Sequence, residues 1–260
     1  MRQTVTVWQG RVPMSLRVEG VGPALIFFHG PWGLTWGPFL DALARDHTVY
    51  APEHPGTTPD EPDAVQQIDN LWDLVLCYDE LLDRLGLTDV AMVGHSFGAM
   101  MACEVAAARP ARVRRLALID PIGLWRDDAP VTNWMLLSPQ EMPGYVFRSA
   151  DGPEAQALFS VPADPEEAAL ARTRLTWAMG ATGKFIWPIP DKGLKKRIHR
   201  IAAPALVVWG EGDRLVPRVY AEEFARRLPS AKIQIVKDAG HAPHVDQPEA
   251  TARHVRAFLA

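Results

Sequence analysis

Cysteine is scarce in this 260-residue chain: Cys77 and Cys103 are the only two, too few for a disulfide framework. Both sit in helix-like stretches among apolar neighbours, which reads as small core residues in a reduced compartment. Charge of one sign is also missing. The formal net charge is −4, and the basic runs are as short as Arg112-Val113-Arg114-Arg115 and Lys195-Lys196-Arg197. Such runs are solvated helix faces or ends, so neither nucleic acid nor an anionic membrane surface is an expected partner. No apolar stretch approaches the ~20 residues of a membrane span. Met1–Thr6 alternates like a strand and lacks the apolar run of a signal peptide, so a cytoplasmic protein is expected. Repeats and low-complexity tracts are absent too.

What remains is an ordinary globular composition, 48% apolar and 22% charged. A chain this long buries roughly three quarters of its unfolded surface, enough for a full core without metal or disulfide staples. Thr4–Trp8 and Arg11–Glu19 alternate around Gly10, which predicts an antiparallel hairpin at a sheet edge. Ala24–Phe28, Val90–Val93, Leu116–Ile119 and Ala205–Trp209 are unbroken apolar runs, the pattern of strands buried on both faces of a parallel sheet. Ala231–Val236 adds a last strand. Helical periodicity falls between them, over 37–45, 63–85, 99–109, 217–228 and 248–259. Alternation of this kind predicts an α/β fold with right-handed crossovers.

From Pro121 to about Arg200 the rhythm breaks. Prolines recur, no clear buried strand appears, and four of the nine tryptophans lie here: Trp125, Trp134, Trp177 and Trp187. Long structureless loops are rare in compact domains, so short helices are expected. The reading is a core of residues 1–120 and 201–260 with a helical cap, or lid, at 121–200.

Gly94-His95-Ser96-Phe97-Gly98 lies between a predicted strand and a predicted helix. A G-x-S-x-G in that context is a nucleophile elbow: glycines permit the tight turn, and the serine hydroxyl sits exposed at the C-terminal edge of the sheet. The helix N-terminus behind it offers N–H groups to a developing oxyanion. Such a serine needs a base, and the base an orienting acid, in the chain order Ser, acid, His. Asp213 follows the strand ending Trp209-Gly210, and His241 lies in the loop after the last strand. All three therefore fall on one rim.

On these segments, with His29-Gly30, the W-G-x-x-D stretch at 209–213 and Gly240-His241, the chain resembles the α/β-hydrolase superfamily with an inserted helical cap. The resemblance implies a mostly parallel eight-stranded sheet with helices on both faces. It implies Ser96 as nucleophile, Asp213 as acid, His241 as base and Phe97 as an oxyanion-hole donor. The second donor usually follows His-Gly, where this chain has Pro31, which lacks an N–H. Either Trp32 donates in its place, or the hole is weaker than in the family. Asp120 also ends a strand and is the competing acid; it is read as serving the turn into the cap. His29 and His95 are read as structural parts of the rim. The proline in His241-Ala242-Pro243-His244 opposes a helical metal pair, and neither metal nor cofactor is expected.

A serine at the elbow leaves ester, lactone, thioester or amide hydrolysis through an acyl-enzyme. Ester or lactone cleavage of a small-to-medium apolar substrate is the leading expectation, that of a carboxylesterase or lactonase. Two alternatives stay open. Carbon–carbon hydrolases of the fold typically carry Asn and Trp where this chain has His95 and Ala242, and some members are small-molecule receptors without turnover. Trp32, Trp36, Trp125, Trp134, Met135 and Trp177 are the expected pocket walls. The substrate's identity and the oligomeric state are not encoded in these patterns.

Overall fold

The apolar runs become the middle of one eight-stranded sheet in the computed structural model, which describes residues 1–58 and 61–260. Its strands are β1 (Arg2–Val7), β2 (Val12–Glu19), β3 (Ala24–Phe28), β4 (Thr48–Pro52), β5 (Val90–His95), β6 (Val113–Ile119), β7 (Ala205–Gly210) and β8 (Ala231–Val236). They lie in the order β1-β2-β4-β3-β5-β6-β7-β8. The β1–β2 and β2–β4 pairs are antiparallel, and every pair from β4 to β8 is parallel. The expected hairpin edge and parallel centre are both present. β4 is the strand the apolar runs do not announce. It is short and mixed, and sits between two better-marked strands.

Side chains alternate between two cores, as strand geometry requires. Ile26, Phe28, Met92, Leu118 and Val207 face one side, with α2 (Leu71–Arg84), α3 (Phe97–Ala108) and α7 (Val219–Arg227). Leu25, Phe27, Val93, Ile119 and Val208 face the other, with α1 (Pro38–Leu43) and α9 (Pro248–Leu259). Each such fully buried side chain contributes about 1.5–3 kcal/mol relative to exposure. The helix expected over 63–85 is divided. A 3₁₀ turn spans Pro62–Gln67, and α2 restarts at Leu71 because the Asn70 side chain accepts the N–H groups of Trp72 and Asp73.

Between β6 and β7 the described chain holds helices and no strand: α4 (Met142–Val146), α5 (Pro153–Phe159) and α6 (Pro165–Ile186), with 3₁₀ turns around them. One departure from the expected short helices is α6, which runs 22 residues. Asp164 caps it by accepting the N–H groups of Glu166 and Glu167, and Pro165 opens it. A short α8 (Pro243–Asp246) follows β8. Where the insert returns to the sheet, Arg197 makes a bidentate pair with Glu104 of α3, at 2.8 and 2.7 Å. The Glu104 side chain is 1% exposed.

Candidate active site

Register fixes the rim. Phe28 lies opposite Gly94, His95 opposite Ile119, Ile119 opposite Val208, and Gly210 opposite Val236. The strands thus end together, and the loops that follow bring Ser96, Asp120, Asp213 and His241 to one place.

Ser96 occupies the turn from β5 into α3 with φ +53 and ψ −116, a region L-residues rarely adopt. Close packing explains its glycine neighbours. A Cβ at Gly94 would stand 2.5 Å from the Gly98 carbonyl oxygen, and one at Gly98 would stand 2.1 Å from that of Phe28. Phe97 is the first residue of α3, so its N–H has no partner within the helix.

Ser96 Oγ lies 2.8 Å from His241 Nε2, and His241 Nδ1 lies 2.8 Å from Asp213 Oδ2. The donors follow from what each acceptor lacks: the hydroxyl donates to Nε2, and Nδ1–H donates to the carboxylate. Asp213 is held by two further donors, the N–H groups of Leu215 and Val216, at 2.8 and 3.0 Å on Oδ1. The His241 loop is tied by its own backbone. His95 Nε2 donates to the His241 carbonyl at 2.8 Å, and the Gly240 N–H donates to Asp246 Oδ2 at 2.7 Å.

Asp120 departs from its expected role. Its carboxyl does not serve the turn into the insert but points to the end of β7, where Oδ1 accepts the Gly210 N–H at 3.0 Å. It also meets the Asp213 carboxyl, and burial together with that neighbouring charge holds it well above the usual carboxylate range. One donor atom each of Asp120, Asp213 and His241 lies within 4.8 Å of the others, a spacing that could hold an ion. Both His241 nitrogens, however, are already engaged by Ser96 and Asp213.

A second histidine network supports the rim. His29 Nδ1 donates to the Gly30 carbonyl at 2.7 Å, and its Nε2 accepts the His54 N–H at 2.9 Å. His54 Nε2 donates to the His29 carbonyl at 2.9 Å, and its Nδ1 accepts the Tyr78 hydroxyl at 2.5 Å. This links the loops after β3 and β4 to α2. Burial lowers the His29 imidazole to about 4 and takes His54 and His95 well below the usual histidine value. His54 has no periodic signal around it, and Tyr78 reads as one of many core positions on its helix.

The expected pocket walls divide. Trp32 is at the site: its ring stands edge-on to His241 at 6.1 Å and to Phe159 of α5 at 6.3 Å. Its indole N–H is buried with no hydrogen-bond partner among the described residues. Trp125, Trp134 and Met135 line a cavity of about 110 Å³ inside the insert, together with Ile186 and Pro188. Trp36 borders a different cavity, of about 350 Å³, with Leu34 and Glu53; it stacks under the Arg17 guanidinium at 4.3 Å and donates its N–H to Asp41. Trp177 is 43% exposed and donates to the Pro62 carbonyl. In both, the indole N–H has found a surface acceptor, and the ring follows it.

Ser96 is 0% and His241 1% exposed, so the insert and rim seal the pair from solvent. Phe185 of α6 stacks on Phe97 with ring centroids 6.4 Å apart. Beside the site, an apolar groove of about 350 Å³ runs between Phe39 of α1, Leu158 of α5 and Val245 of α8. It adjoins a cavity of about 40 Å³ lined by Trp32 and His95, the two sharing Phe147, Leu158 and His244.

A strained serine at a strand-to-helix turn, with a histidine and an aspartate delivered from later strand ends, defines a class of hydrolase fold. The profile of the alpha/beta hydrolase family matches residues 25–254, and the chain belongs to that family. It is 29% identical over 257 residues to the sn-1-specific diacylglycerol lipase of Mus musculus, covering 92% of this chain and 81% of the lipase. It is also 29% identical over 247 residues to the pimeloyl-[acyl-carrier protein] methyl ester esterase of Aromatoleum aromaticum, covering 87% and 94%. Among solved structures, a bacterial membrane phospholipase A superposes with a TM-score of 0.81 at 23% identity, covering 100% of this chain and 85% of its own. A meta-cleavage product hydrolase superposes at 0.74 and 18% identity, covering 99% and 97%. These two show the shared fold. No helix of the described residues is long and apolar enough to cross a membrane.

Proposed function

We propose that the protein is a serine hydrolase that cleaves ester or lactone bonds of a small-to-medium apolar substrate through an acyl-enzyme. The observation behind this reading is the chain of two 2.8 Å hydrogen bonds from Ser96 through His241 to Asp213. His241 Nε2 takes the Ser96 proton as Oγ bonds to the carbonyl carbon. The resulting oxyanion is met by the Phe97 N–H, with Trp32 supplying the second donor. The tetrahedral intermediate collapses, and the leaving alkoxide takes the proton from Nε2. Water then repeats the sequence and releases the acid. The two relatives named as a lipase and a methyl ester esterase support an ester substrate.

The groove beside Trp32 supports an apolar substrate. Its volume, about 350 Å³, is within the range of small-molecule sites. A panel of p-nitrophenyl esters of graded chain length, with matching lactones, tests the reading. Turnover of medium-chain members is the expected result. Ligand-induced thermal stabilisation without turnover would mean a receptor instead. Leu158→Trp fills the groove and should lower kcat/KM for medium chains by about tenfold or more while sparing the acetyl ester.

A further inference from the structure

Asp120 is fully buried at the end of β6, with φ +42 in the left-handed region. One oxygen accepts the Gly210 N–H. The other is buried and receives no donor among the described residues, and a carboxylate oxygen of Asp120 lies within 4.8 Å of one of Asp213. Two neighbouring carboxylates buried in a protein do not readily both hold a charge, because burial penalises each ion and the like charges repel. Donor counting decides which one is ionised. Asp213 accepts three hydrogen bonds, from Leu215, Val216 and His241, whereas Asp120 accepts one. Asp246, the other acid nearby, is satisfied by the N–H groups of Gly240 and Arg148. The charge therefore belongs on Asp213 and the proton on Asp120.

We infer that Asp120 is a positioning residue that, as a neutral carboxylic acid, donates its O–H to Asp213 and so fixes the carboxylate that orients His241. The inference rests on the Ser96–His241–Asp213 reading. It makes the site a linear relay of four side chains with a single negative charge. That charge is held in place by donors on every side.

Asp120→Asn tests this, because an amide keeps an acceptor for Gly210 and presents an N–H to Asp213. It should retain kcat within a few-fold of wild type. Asp120→Leu removes both functions and should lower kcat by about 10²-fold, the scale of a catalytic group displaced by about 1 Å, with KM unchanged. An infrared difference spectrum, wild type minus Asp120→Asn at pH 7, should show the C=O stretch of a neutral carboxylic acid. Carboxylate bands alone in that spectrum would overturn the inference whatever Asp120→Leu does, including failing to fold. So would Asp120→Asn falling as far as Asp213→Asn, or a folded Asp120→Leu with full kcat. The underlying triad reading fails separately, if Ser96→Ala remains active.

Discussion

Asp213 and Asp120 differ by what each is asked to hold, and substitution should separate them. Asp213→Asn should cost about 10⁴-fold in kcat, because the amide favours the wrong His241 tautomer. Chelation with EDTA should leave activity unchanged, since both His241 nitrogens are used in hydrogen bonds; zinc-reversible loss would contradict this. Tyr78→Phe leaves buried His54 Nδ1 without its donor and should destabilise the fold by about 1–3 kcal/mol, measured by urea unfolding. Ser96, Asp213 and His241 were legible in the sequence because each lies within five residues of a strand signal and within two of a glycine. Asp120 was legible as a strand end, but its partner was not, since linear order does not say that β6 and β7 are neighbours. The places of Trp36 and Trp177 were not legible, because aromatic content does not say which acceptor an indole N–H will reach.

At the scale of elements, the insert is fastened to the core, where it returns to the sheet, by an ion pair between a half-buried arginine and a buried glutamate. Glu104 is almost wholly buried on α3, and Arg197 is its bidentate partner. Arg197→Met strands that carboxylate and should cost about 3 kcal/mol, whereas replacing both residues by apolar ones should recover much of the loss. A double-mutant cycle by chemical denaturation checks this, and additive losses would mean that the pair is not coupled. The parallel strands were legible because burial on both faces leaves unbroken apolar runs. β4 was not, because five mixed residues between stronger strands leave no such run. The length of α6 was also hidden. Its buried residues, such as Ala178, Ala181, Phe185 and Ile186, gather at its C-terminal end, so most of the helix shows no amphipathic period.

Across the whole molecule, buried imidazoles govern the response to acid. His29, His54, His95 and His244 stay neutral in the fold well below the usual histidine value, with burial taking His29 to about 4 and His244 to about 3. Unfolded, they take up protons below about pH 6.5, so between about pH 4 and 6.5 these four histidines bind more protons in the unfolded chain than in the fold. Asp120 and Asp246 oppose them, since burial lets each keep a proton in the fold to a higher pH than an unfolded aspartate, which loses it above about pH 3.9. Four histidines against two acids leave stability present above pH 6.5 and falling on acidification. Tm measured from pH 7.5 down to 4.5 should drop steeply, and a flat or rising Tm would contradict the assignment of neutral histidines. The central claim, a covalent serine mechanism, is tested most directly by reaction with a fluorophosphonate followed by peptide mapping. The adduct should sit on Ser96 alone, and its stoichiometry should match the loss of esterase activity, as expected if the serine is the acyl-carrying group. Activity that survives complete modification of Ser96, or that is lost with the adduct on another residue, would contradict the account.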